Sequence, residues 1–202
     1  TESSGKRGLE NMSYLPISKR WAGHLAGQAG LSQEKENILA YAIEVLLINT
    51  TNIVLTLLLG FLVGAWRGTA ICLATVFLLR HTAGGAHAKS PWRCGIITVT
   101  VFPLMALLAQ KLLLSQVVID IITAVVFSAG LAIILLLAPV DTPAAPIISP
   151  VRRKKLKFLS MVVLLALLTI VISLRQSPLD YAKEAQLWIM FGISWVCLML
   201  SK

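Results

Sequence analysis

Charge is what this sequence lacks most. Asp, Glu, Lys and Arg make up only 13% of its 202 residues, about half the share in an ordinary soluble domain. That shortage excludes a soluble globular domain and a disordered tail alike. Cysteine is scarce too: Cys72, Cys94 and Cys197 supply no disulfide framework. No CxxC or HxxxH pair completes a four-ligand zinc site, so no metal and no cofactor is expected. Residues 1–35 lack the long apolar run of a signal peptide. Residues 1–11, which precede the first Met, read as an expression remnant or an extension. No internal repeat is visible.

What is present is apolar. Hydrophobic residues reach 57% and the mean hydropathy is +0.82. Six apolar stretches run about Ile38–Trp66, Gly68–Leu79, Cys94–Leu114, Val117–Ala138, Leu156–Leu174 and Ala185–Leu200. A helix needs about 20 residues to cross the hydrocarbon core. Stretches three to five meet that easily, and the second, a dozen residues, is the weak one. In the first, Glu44, Asn49, Thr50, Thr51 and Asn52 are polar groups that in lipid must face other helices. The expected fold is an all-α integral membrane protein of about six transmembrane helices with an N-terminal amphipathic interfacial helix. Residues 12–35 form the interfacial segment, where Trp21, Leu25, Leu31 and the Lys19–Arg20 pair suit a helix on the inner leaflet. Residues 36–202 form a single helical domain with a polar loop at 80–94 and a Pro-rich basic loop at 139–157.

The basic excess, a net charge of +9, then becomes a topology signal. With six spans and both termini cytoplasmic, the inside collects Lys6, Arg7, Lys19, Arg20 and Lys35, then Arg80, Lys89 and Arg93. It also collects Arg152, Arg153, Lys154, Lys155 and Lys157, and finally Lys202. The outside keeps only Arg67, Lys111, Arg175 and Lys183. Fourteen against four is a strong positive-inside pattern, and it accounts for the high pI without nucleic acid. The basic run Arg152–Lys155 follows four prolines, which favour extended backbone. It reads either as an orientation device or as a hold for an acidic ligand segment.

The loop at 80–94 concentrates two of the three histidines, His81 and His87, and the one cysteine outside an apolar run, Cys94. A cysteine nucleophile reacts as its thiolate and needs a base or imidazolium within reach. Ser90–Pro91 is a helix-start signal, which puts Cys94 at the fourth helical position. Unpaired N–H groups and the positive end of the helix dipole favour a thiolate there. Arg80 and Arg93 add positive charge. Gly84–Gly85 lets the chain turn so that His87 can fold toward Cys94, and leaves N–H groups as oxyanion donors. The residues alone leave other readings open. His24 and His81 suit ordinary interfacial histidines, Cys72 and Cys197 small buried hydrophobes, and Asp120 a structural acid at the outer end. Glu44 is a candidate partner of His87 or counter-ion of Arg80.

The string R-x3-G-G-x-H-A-x5-C, formed by Arg80, Gly84, Gly85, His87, Ala88 and Cys94, resembles the signature of the accessory gene regulator protein B (AgrB) family. The run APVDTPAAPI at 138–147, followed by basic residues, and the polar-rich first span resemble further family elements. The resemblance covers roughly Met12 to the last residue. It implies a bacterial multi-pass membrane cysteine endopeptidase of quorum sensing, its catalytic loop cytoplasmic. The implied substrate is a propeptide with an amphipathic leader and an acidic C-terminal tail. Cys94 is then the nucleophile and His87 the general base, and the product is a thiolactone or lactone ring. Arg152, Arg153, Lys154 and Lys155 would steer the acidic tail. A homodimer in the lipid bilayer is implied as well. A small transporter or scaffold without chemistry is the alternative, and it would be indifferent to Cys94→Ala.

Overall fold

The computed structural model describes residues 15–84, 91–112, 114–140 and 149–201. These form seven α-helices: α1 (Pro16–Ala29), α2 (Gln33–Leu62), α3 (Trp66–Ala83), α4 (Pro91–Lys111), α5 (Gln116–Leu137), α6 (Pro150–Arg175) and α7 (Ala182–Leu200). Local chemistry sets their ends. Pro16 opens α1, and Gly30, at φ +61°, closes it in the left-handed conformation. Gly64, at φ +73°, provides the tight turn between α2 and α3. Ser115 and Ser149 cap α5 and α6 by accepting from Val118 and Arg152 N–H.

Five helices, α2 and α4–α7, are long and apolar enough to cross a bilayer. The chain is an all-α membrane protein. The weak second stretch is a helix of 18 residues, Trp66–Ala83, about 27 Å long. It exceeds the dozen residues that hydropathy marks out. Its modest apolarity has a physical reason: Thr69, Cys72, Thr75, Leu79 and Thr82 are buried against neighbouring helices, so lipid does not dictate its composition. Thr69 and Thr82 satisfy their hydroxyls on the carbonyls of Ala65 and Leu79.

By contacts the chain divides into one unit through Val54 and another from Leu55 onward. In the first, α1 buries its small residues Ser18, Ala22 and Ala26. Ile17, Trp21 and Leu25, spaced four apart, are exposed beside exposed Lys19 and Arg20. Of the polar residues expected to face other helices, Glu44 is buried and Asn52 half-buried, but Asn49, Thr50 and Thr51 are exposed on this chain. Among the described residues the expectation is met at Glu44 and Asn52 only.

The second unit is built around α7, whose Gln186, Trp188, Met190 and Ile193 are at most 2% exposed. α3 lies against it. Side chains beyond hydrogen would not fit at Gly68, which faces the Trp188 indole and Ala106, or at Gly192, which faces Thr75. The Trp188 indole N–H donates to the Ala106 carbonyl on α4 at 3.1 Å. Cys72 is fully buried and its thiol reaches the Trp188 carbonyl at 3.3 Å, the small buried hydrophobe expected of it. Asp120 on α5 pairs with Arg175 on α6 at 2.9 Å and accepts from Gln116, a structural role.

Candidate functional site

The C-terminus of α3 meets the segment that follows α5, and the first turns of α6 are tied to the end of α5. At the first of these junctions, Gly84 adopts φ +75° and ψ −145° and its N–H closes α3 on the Arg80 carbonyl. The next contact is long-range. Val140 N–H donates to the Ala83 carbonyl at 3.0 Å, and Gly84 and Val140 form an isolated parallel bridge. A Cβ at Gly84 would run into the Val140 carbonyl oxygen. The two sequence elements singled out by resemblance, at 80–94 and 138–147, are therefore joined by backbone hydrogen bonding.

This geometry corrects one expectation. The Gly84 N–H is committed to the Arg80 carbonyl, so it is not an oxyanion donor. Its glycine identity answers instead to a backbone region reserved for glycine and to the Val140 contact.

α4 begins at Pro91, and Cys94 stands at its fourth position, half-buried in the first turn. Its carbonyl accepts from Thr98 Oγ1 at 2.8 Å. Arg93 is exposed and Arg80 half-buried. The first-turn N–H groups of α4 have no acceptor within their own helix, so Cys94 lies at an electropositive helix end. Gly85, His87, Lys89 and Ser90 lie outside the described residues. His81 is exposed and its ring stacks on Phe77 at 5.7 Å. His24 is also exposed, bonded to Gln28 on its own helix. Glu44 belongs to the first unit, where it is 4% exposed.

The basic loop expected at 139–157 is shorter than its prolines suggested. Helix α6 starts at Pro150, because proline at the first helical position costs no hydrogen bond. Arg152, Arg153, Lys154 and Lys155 are therefore exposed residues of the first helical turns. Four cations at the positive end of a helix dipole oppose the local electrostatic preference, and no acidic residue shares that first turn. Lys157, one turn on, donates to the Leu135 carbonyl and ties α6 to the end of α5.

Sequence reasoning put Cys94 in the first turn of a helix, where the structure has it. It missed the role of Val140, whose only signal was an extended, proline-flanked run without a partner of its own.

The chain matches the family model for accessory gene regulator B over residues 18–200. It is 27% identical over 192 residues to an AgrB-like protein 2 of Clostridium perfringens, covering 92% of this chain and 90% of that protein. An AgrB-like protein of Clostridium acetobutylicum is 31% identical over 67% of this chain and 62% of its own length. Accessory gene regulator protein B of Staphylococcus saprophyticus is 30% identical over 54% and 65%. No solved structure matches the chain.

Proposed function

Because the chain belongs to the accessory gene regulator B family of quorum-sensing peptide processing, we propose that it is a membrane cysteine endopeptidase acting on an autoinducing propeptide. The observation that carries the reading is Cys94, half-buried in the first turn of α4. His87 takes the Cys94 thiol proton as the sulfur attacks the carbonyl carbon that precedes the acidic tail. The C–N bond breaks, the leaving amine takes that proton, and a thioester remains on Cys94. A Cys or Ser side chain of the same peptide then attacks the thioester, closing a thiolactone or lactone and freeing Cys94. Intramolecular attack gains from proximity, and a site at the bilayer edge shields the thioester from water.

Both termini and the loop are cytoplasmic in this reading, as the positive-inside distribution favours. Ile17, Trp21 and Leu25, with Lys19 and Arg20, lay α1 on the inner leaflet, where an amphipathic leader also partitions.

The test is reconstitution of the full chain in liposomes with its propeptide and intact-mass analysis of both partners. Tail release with an adduct mapping to Cys94, absent in His87→Ala and Cys94→Ala, is the expected result. A folded wild type that leaves every plausible propeptide intact would instead favour the transporter or scaffold.

The cations opening α6 hold the acidic tail. Neutralising them together (Arg152→Gln, Arg153→Gln, Lys154→Gln and Lys155→Gln) is expected to raise KM about tenfold at low salt with little change in kcat. The difference from wild type should shrink as salt screens it. An unchanged KM in steady-state assays at both salt concentrations would remove these residues from substrate binding.

The protein acts as a homodimer, with Asn49 and Thr50 of the candidate span α2 facing the second copy, since polar groups in lipid need a partner. Asn49→Leu with Thr50→Val is expected to shift mass-photometry profiles in detergent toward monomer. A profile identical to wild type would move the interface elsewhere.

A further inference from the structure

At the end of the second unit opposite the Gly84–Val140 bridge, α3 and α7 begin and α4 ends. A cavity of about 270 Å³ opens there, lined by Trp66, Arg67, Gln110, Tyr181, Glu184 and Trp188. Two opposite charges share it without meeting. The Arg67 guanidinium lies over the Tyr181 ring at 5.0 Å and over Trp66 at 5.7 Å. Glu184 Oε2 is buried, and no donor among the described residues reaches it.

The exposed Arg67 side chain rests on an aromatic column. Tyr181, on which it rests, stacks on Trp188 at 6.5 Å, and Trp188 is fixed by its bond to the Ala106 carbonyl. This column favours the guanidinium over the ring faces, away from Glu184. A buried carboxylate oxygen without a donor is costly, so Glu184 calls for a cationic donor from outside the chain. A simple cation would be repelled by Arg67 and a simple anion by Glu184. The anionic side is reinforced because α3 starts at Ala65 without a side-chain cap and without an acidic residue in its first turn, leaving a helix N-terminus beside Arg67.

We infer that this cavity binds an amine-bearing zwitterion, its ammonium on Glu184 Oε2 and the aromatic faces, its anionic group on Arg67. At the membrane edge that chemistry has two sources: the phosphoethanolamine headgroup of a lipid, or a free zwitterion such as phosphoethanolamine itself. The inference does not depend on the peptidase reading, because its readout is binding.

The full chain, purified in detergent and stripped of lipid, is titrated with dihexanoyl-phosphatidylethanolamine, dihexanoyl-phosphatidylglycerol and phosphoethanolamine. Binding is followed by tryptophan fluorescence, since Trp66 and Trp188 line the cavity, and by the shift in melting temperature. Saturable binding of the phosphatidylethanolamine and none of the phosphatidylglycerol is expected. Glu184→Gln and, independently, Arg67→Gln are each expected to weaken it about tenfold or more. Equal binding by free phosphoethanolamine assigns the soluble source; binding by the lipid alone assigns the headgroup. Failure of both amines to bind, equal binding of phosphatidylglycerol, or unchanged affinity in either variant with a wild-type melting profile overturns the inference.

Discussion

Cys94→Ala is expected to lower tail release in liposomes by about 10³-fold or more, with helical content and melting temperature close to wild type. The size follows from the proposed chemistry, since no acyl-enzyme forms without the sulfur. The retained fold follows from position. Cys94 is half-buried in a first turn, and the described bond at this residue runs through its backbone carbonyl to Thr98, not through its side chain. Cys72→Ala provides the contrast. That thiol is fully buried in α3 against α7 and reaches only the Trp188 carbonyl, so its loss should reduce stability modestly and leave processing intact. If Cys94→Ala still released the tail at a comparable rate, the covalent mechanism would be wrong. Activity lost equally in both variants would point instead to a shared effect on the fold.

The sequence carried some of this architecture openly and hid the rest for definable reasons. Spans that face lipid announce themselves, because an apolar solvent imposes apolar composition. α5 and α6 were legible for that reason. α3 was only half legible, because a helix with one face packed against protein can carry Thr69, Thr75 and Thr82 there, and these lower its hydropathy. The start of α6 was masked by Pro150, a breaker inside a helix but a favoured residue at its first position. At the site, a helix-start signal placed Cys94 correctly in a first turn. The bridge from Gly84 to Val140 had no such signal. It joins two segments far apart in sequence by one pairing, with no periodicity to betray it.

That bridge supports the second large expectation. Gly84→Val is expected to reduce processing about 100-fold or more, and Gly84→Ala somewhat less, while the transmembrane helices persist. Two independent penalties act on the same atom. At φ +75° and ψ −145° an L-residue is held in a region that costs of order 1–3 kcal/mol. The added Cβ also meets the Val140 carbonyl oxygen, a backbone group that cannot swing aside like a flexible side chain. The cheapest relief is to break the bridge, which releases Val140 N–H from Ala83. The residues after Gly84, His87 among them, then lose their fixed point of departure relative to Cys94. Val140→Pro tests the same link from the other side. It removes the donor to Ala83 without touching Gly84, and it should reproduce the loss of processing. The measurement that separates positioning from unfolding is the rate of Cys94 alkylation by a small maleimide. If the helices hold, both variants should keep a reactive thiol yet fail to form the acyl adduct. Wild-type processing in Gly84→Val would mean that the bridge plays no part in positioning the loop.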